Sequence, residues 1–159
     1  STGPAIVTTV VAGARISVLG PVGPNGAFEV ARWAIGAPTV LPSLTPSDAA
    51  FHSFLAVEVD GYDEKGSQLS QIASPFTIQI TFRPGAGLNP ALTRLFLSDG
   101  AGGTIALPIS VTANGDGTYT VTAQTTTLST FVLFSPSVNT LVPQVYVPLT
   151  TKGASGGGW

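Results

Sequence analysis

The sequence predicts an all-β protein: a single-domain antiparallel β-sandwich with extended N- and C-terminal segments. Three observations carry that expectation. The 19 glycines and 13 prolines in 159 residues cut the chain into short pieces. Those pieces are rich in Val, Ile, Thr and aromatic residues, which suit a pleated surface. Several of them alternate apolar and polar side chains with period two, the pattern of a half-buried strand.

Taken in order, "AIVTTVV" (5–11) and "ARISVLG" (14–20) read as the first strands. Residues 1–13 as a whole form an N-terminal extended segment, apolar and uncharged, that is a possible donor strand. "GPVGPNG" (20–26) is a turn, where Asn25-Gly26 suits positive φ. "AFEVARWAI" (27–35) alternates, with Phe28, Val30 and Arg32 facing away from Glu29, Ala31 and Trp33. A Pro-rich loop (36–50), with a short helical turn at 47–50, leads to the long strand "FHSFLAVEVDGY" (51–62) and the turn "DEKG". In "FTIQITF" (76–82), Phe76, Ile78, Ile80 and Phe82 share one face and Thr77, Gln79 and Thr81 the other.

A loop with one helical turn at 90–93 precedes the strand "TRLFLSD" (93–99) and the turn "GAGG". "TIALPISVTA" (104–113), the hairpin turn "NGDG", "TYTVTAQT" (118–125) and "STFVLFSP" (129–136) complete the sandwich, which spans 14–136. Residues 137–159 form a C-terminal extension and Gly-rich tail. Pro143 and Pro148 in "VPQVYVPL" cannot donate to a ladder, so this stretch suits a sheet edge or a bound extended segment.

Composition narrows the function. Charged residues make up 9% of the chain, far below the roughly 25% of ordinary soluble domains, and the net charge is −2. The six cations are scattered singly, so no nucleic-acid partner is expected. So few charges fit a surface covered by identical subunits or by glycans, or a monomer coated with Thr and Ser. With no Cys there is no disulfide framework and no thiolate metal site. No run of about 18 apolar residues is present, so no membrane span is expected. "STGPA" reads as a mature start left by signal-peptide removal, which places the chain outside the cell.

An ordered set of motifs carries a resemblance. "FLAVEVDGYDEKGSQLSQIASPFTIQITF" (54–82), "LFLSDGAGGTIALP" (95–108), "DGTYTV" (116–121) and the strand after it resemble the self-cleaving β-sandwich module. That module is shared by the GAIN domain of adhesion receptors, by netrin receptors, ankyrins and zonula-occludens proteins, and by bacterial surface relatives. The resemblance spans residues 14–135 and implies a β-sandwich. Self-cleaving relatives carry His, an apolar residue and then Ser or Thr at the final strand. Here the positions read Thr127, Leu128 and Ser129. The nucleophile type is kept, but a Thr hydroxyl cannot take a proton near neutral pH, so the general base is missing. The expectation is a sandwich without the cleavage.

Other chemistry is sparse. His52, the one imidazole, reads as a strand residue rather than a catalytic base. Asp60, Asp63 and Asp116 are weak calcium candidates, since neither "VDGYDEKG" nor "NGDG" has the spacing of a recognised calcium loop. Asp and Asn also favour turns for backbone reasons alone. Trp33 and Tyr62 are the best candidates for exposed sugar-stacking rings. No catalytic residue, metal or cofactor is expected, and the chain does not read as an enzyme.

The expected function is structural: a subunit of an extracellular filament, pilus-like fibre or surface layer, whose partners are copies of itself. Ile6, Val7, Val10 and Val11 at one end, and Val142, Val145, Val147 and Leu149 at the other, are the apolar residues suited to strand donation. "GASGGGW" suits insertion between subunits, with small residues to thread a gap and Trp159 to anchor in a neighbour's pocket. The alternative is a carbohydrate- or protein-binding module of a larger adhesin.

Overall fold

Alternation sets the layers. The computed structural model describes residues 6–20, 30–38, 51–98 and 104–137. In chain order the strands are β1 (Ile6–Val11), β2 (Ala14–Leu19), β3 (Arg32–Gly36), β4 (Phe51–Tyr62), β5 (Gln68–Leu69), β6 (Gln71–Phe82), β7 (Arg94–Ser98), β8 (Thr104–Leu107), β9 (Ser110–Ala113), β10 (Tyr119–Thr127) and β11 (Thr130–Pro136). A 3-10 turn, Pro90–Leu92, precedes β7. They form two antiparallel sheets ordered β1-β2-β6-β10-β9 and β3-β4-β11-β7-β8, with β5 also paired to β4. The all-β sandwich read from the sequence is therefore the fold. Among the described residues no helix is long and apolar enough to cross a membrane.

The inward face of β6 is the one the alternation specifies. Phe76, Ile78, Ile80 and Phe82 are buried, while Thr77, Gln79 and Thr81 lie half-buried on the other face. From the opposite sheet come Leu55, Val57, Val59, Leu95, Leu97, Phe131 and Leu133. Each fully buried side chain of this size contributes about 1.5–3 kcal/mol of apolar transfer free energy. Two ring contacts tie the layers together: Trp33 to Phe76, at 5.1 Å, and Phe54 to Phe82, at 4.9 Å.

The structure corrects three details. Trp33 is buried in the core, not presented outward. The alternation slips before β3, so Val30 and Trp33 both turn in while Ala31 and Arg32 are exposed. Gly61, paired with Trp33, makes room there: a Cβ would sit 3.1 Å from Val30 Cγ1 and 3.2 Å from Leu128 Cδ1. Second, the N-terminal segment is not separate from the sandwich over its described part, because β1 pairs with β2 from Ile6↔Leu19 to Val11↔Ala14. Third, 104–113 is not one extended run. Pro108 has no N–H for a ladder, and the chain changes sheets there, with β8 beside β7 and β9 beside β10.

The outer face of the β1-containing sheet is coated with hydroxyl and amide groups. Thr8, Ser17, Gln79 and Thr122 make one cross-strand row, and Arg15, Thr81 and Thr120 another. Neighbours bond to each other, Thr8 to Ser17 at 3.0 Å and Thr81 to Thr120 at 2.9 Å. This face supplies much of the low charge, as a Thr- and Ser-coated surface would. One buried polar pair pins the 3-10 turn to β11. The Thr93 hydroxyl donates to the Pro90 carbonyl (2.7 Å), so the Ser135 hydroxyl donates to Thr93 (2.7 Å).

Candidate assembly site

A β-sandwich with open sheet edges exposes unpaired N–H and C=O groups, and proteins ordinarily blunt such edges with charge, Pro or shortness. β1 carries none of these. All six of its residues, IVTTVV, are uncharged and β-branched. Val7 packs against the core and Val11 is buried, whereas Ile6 and Val10 are 66% and 68% exposed. The other edge strands are shorter, four residues in β8 and β9 and five in β3, and β3 begins with Arg32.

The β1–β2 hairpin sets which backbone groups point outward. Its two-residue turn, Ala12 and Gly13, has φ values of 52° and 85°, both positive as a type I′ turn requires. The pair closing such a turn exchanges both hydrogen bonds, and bonded pairs then alternate along the ladder. Val11, Thr9 and Val7 therefore bond to β2. Ile6, Thr8 and Val10 direct their N–H and C=O groups away from it, where no described strand pairs with β1.

Among the described residues a second unpaired stretch lies nearby in the other sheet. β3 pairs with β4 only from Gly36↔Glu58 to Arg32↔Tyr62. Along Phe51–Val57, β4 is paired to β11 on one side and, among the described residues, to no strand on the other. A recess of about 450 Å³ runs beside this stretch and is lined in part by Val11, Phe54, Leu55, Ala56, Val132 and Phe134. A register shift between β4 and β11 at Leu133/Phe134 leaves Phe54 as an extra residue, and its ring packs inward on Phe82.

Of the sequence-derived assembly residues, Ile6, Val7, Val10 and Val11 lie on β1. Val142, Val145, Val147, Leu149 and Trp159 lie outside the described residues. Phe54 and Ala56 were not singled out in the sequence. The signal that points to them is the Pro38 that follows β3, beyond which β4 has no second neighbouring strand among the described residues.

The degenerate cleavage positions sit where β10 leads into β11. The Thr127 N–H donates to Thr125 Oγ1 (3.1 Å), and the Leu128 N–H to the Ser70 carbonyl (3.0 Å). Leu128 packs in the core, and the Ser129 hydroxyl donates to the Ser98 carbonyl at 2.5 Å. His52 is paired with Ser135, whereas the β11 residue next to Ser129, Thr130, is paired with Glu58. Five residues of strand, roughly 17 Å at about 3.4 Å each, separate those pairs.

The candidate calcium ligands are engaged in turns. Asp60 accepts from Gln68 Nε2 at 3.0 Å, and Asp63 from the N–H groups of Lys65 and Ser67, both at 2.9 Å. Asp116 accepts from the Thr118 N–H (2.9 Å) and hydroxyl (2.5 Å), and these bonds hold its carboxyl below the ordinary value. No group of three or more His, Cys, Asp or Glu side chains that could hold a metal occurs among the described residues. Tyr62 is half-buried, with the Arg32 guanidinium 4.1 Å above its ring. No protein-family model, curated protein or solved structure matches this chain.

Proposed function

We propose that this chain is a structural subunit of an extracellular filament, pilus-like fibre or surface layer, and that copies join by adding strands at open sheet edges. One observation carries the proposal: β1 is an edge of six β-branched, uncharged residues with two large apolar side chains in solvent. An isolated soluble domain gains nothing from such an edge and risks uncontrolled pairing. A subunit that polymerises by strand addition uses it, and head-to-tail addition yields open filaments when the rotation does not close. The missing general base at Thr127 supports a scaffold role without cleavage.

The hydroxyl-coated outer face supports a second reading, a carbohydrate- or protein-binding module of a larger surface protein. That reading predicts a monomer. Light scattering and electron micrographs of the full chain separate the two. The subunit reading expects fibres or sheets from the wild type, and dispersed monomers from the Ile6→Lys/Val10→Lys variant. Both positions are exposed, so the variant folds, and its stability changes by only about 0.5 kcal/mol per site. A wild type that stays monomeric up to millimolar concentration overturns the proposal.

A further inference from the structure

We infer that a recess at one end of the hydroxyl-coated face binds an acidic sugar residue, a ring that carries one carboxylate and several hydroxyls. The inference goes beyond assembly. The recess is lined from the β1–β2 turn, β2, β6, β10 and the β9–β10 turn, with nothing from β1. Joining copies at the β1 edge therefore leaves it in place, and the site is the same in a monomer and in a fibre.

The starting point is the arginines. Arg32 and Arg94 are engaged, each guanidinium 4.1 Å from the centre of an aromatic ring, those of Tyr62 and Phe51. Arg15 and Arg83 are exposed and have no ring contact, hydrogen bond or ion pair among the described residues. Yet these two line one recess of about 450 Å³, within the roughly 300–1,000 Å³ of small-molecule sites.

Their convergence has a structural cause. Arg15 of β2 stands beside Thr81 of β6, which stands beside Thr120 of β10 on the same outer face. Arg83 follows the last residue of β6 and reaches over the β9–β10 turn. Gly117 permits this approach, since a Cβ there would collide with Arg83 Nη1. Two arginines against one acid, Asp116, leave the recess positive in a chain of net charge −2. A guanidinium is a planar fork of donors, and its geometry matches a carboxylate.

The groups between the arginines select for more than charge. Asn114 Nδ2 donates to the hydroxyls of Thr118 (2.9 Å) and Thr120 (3.0 Å). The Thr81 and Thr120 hydroxyls share one bond, so whichever donates, the other keeps its hydrogen for a ligand. Asp116 accepts from the Thr118 N–H and hydroxyl, which fill two of the roughly four lone-pair sites of a carboxylate. One spare donor and spare acceptors, in the same recess as two guanidiniums, suit the hydroxyls of a sugar ring. Asp116 is ionised at neutral pH. It therefore repels a divalent anion such as sulfate more than a ring with a single carboxylate.

Saturation-transfer NMR reads the small ligand, so it serves dispersed chains and fibres alike. The probes are D-glucuronate, D-glucose, acetate and sulfate. Glucuronate is expected to bind at least about tenfold more tightly than each of the others, and added salt should weaken it. Arg15→Gln and Arg83→Gln each remove a charged donor and should weaken glucuronate by roughly tenfold. Both positions are exposed, so the variants fold. Arg32→Gln, on the other sheet, should leave binding unchanged. A glucuronate signal that is absent at about 100 mM overturns the inference. So does equal binding of acetate or sulfate, which would make the recess a plain cationic patch, or of glucose, which would make the arginines bystanders. Glucuronate binding that survives both arginine variants places the sugar elsewhere and overturns it too. None of these outcomes bears on assembly, which the micrographs of the Ile6→Lys/Val10→Lys variant decide.

Discussion

Ala12 is the residue whose backbone and side chain disagree most. It takes φ of 52°, the one positive value among the described non-glycine residues. An L-residue there crowds its Cβ against the next carbonyl, at a cost of roughly 1–2 kcal/mol. The register demands it, because a type I′ turn matches the twist of paired strands and needs positive φ at both centres. Asn tolerates this region by bonding locally. Ala12→Asn is therefore expected to raise stability by about 0.5–1 kcal/mol, read as a higher denaturant midpoint with an unchanged slope. No gain, or a loss, would mean that the hairpin is closed by a different turn. Trp33 teaches the opposite lesson about single residues. Its alternation with Glu29 and Ala31 assigns it outward, but a slip of one position between Val30 and Trp33 turns both inward. Period-two reading carries no information about such a slip. The room for Val30 beside it depends on Gly61, which lies directly opposite Trp33 in the sheet but far along the chain.

At the scale of elements, legibility follows how local the cause is. β4 and the buried face of β6 are set by their own alternation, and the sequence places both. The division between β8 and β9 is a tertiary matter: Pro108 announces a break, but nothing nearby says that the halves join different sheets. The candidate site divides the same way. The strand Ile6–Val11 was legible from its six β-branched residues, whereas its place at the end of a sheet, and the stretch of β4 left without a second neighbour among the described residues, depend on tertiary pairing. The β9–β10 turn, Asn114 to Thr118, is fully local. Asp116 folds it by accepting the Thr118 hydroxyl and N–H, and these bonds lower its pKa from 3.8, with Arg83 adding a smaller push. A carboxylate whose pKa falls on folding contributes stability above its ordinary value and loses it as pH drops through the lowered one. Comparing wild type with Asp116→Asn, the melting-temperature gap should hold steady above about pH 5 and shrink below the ordinary value of 3.8. A gap that is flat down to pH 2 would show that the ionised carboxylate is not what holds the turn.

For the whole molecule, the two layers present different surfaces. One outer face is a hydroxyl and amide array with little charge. Among the described residues, one flank carries two edges without a further strand, β1 in one sheet and Phe51–Val57 of β4 in the other, with Val11 of β1 lining the recess beside β4. Central strands are paired on both sides, β6 by β2 and β10, and β11 by β4 and β7. Amide exchange should map this arrangement and test it. In dispersed protein, the β6 and β11 amides exchange slowest, and those of Thr9 and Val11 are protected by β2. The amides of Thr8 and Val10 point outward and exchange as fast as loop amides. Assembly through β1 hydrogen-bonds them to a neighbour, so their exchange should slow by about a hundredfold, the factor that corresponds to ~2.7 kcal/mol of opening free energy. The alternation makes the measurement self-controlled, because general shielding by a nearby subunit would slow Thr8 and Thr9 alike. Slowing confined to Thr8 and Val10 is the signature of a strand added at this edge. If assembled material leaves those two amides fast, copies of the chain meet elsewhere and β1 is not the joining edge.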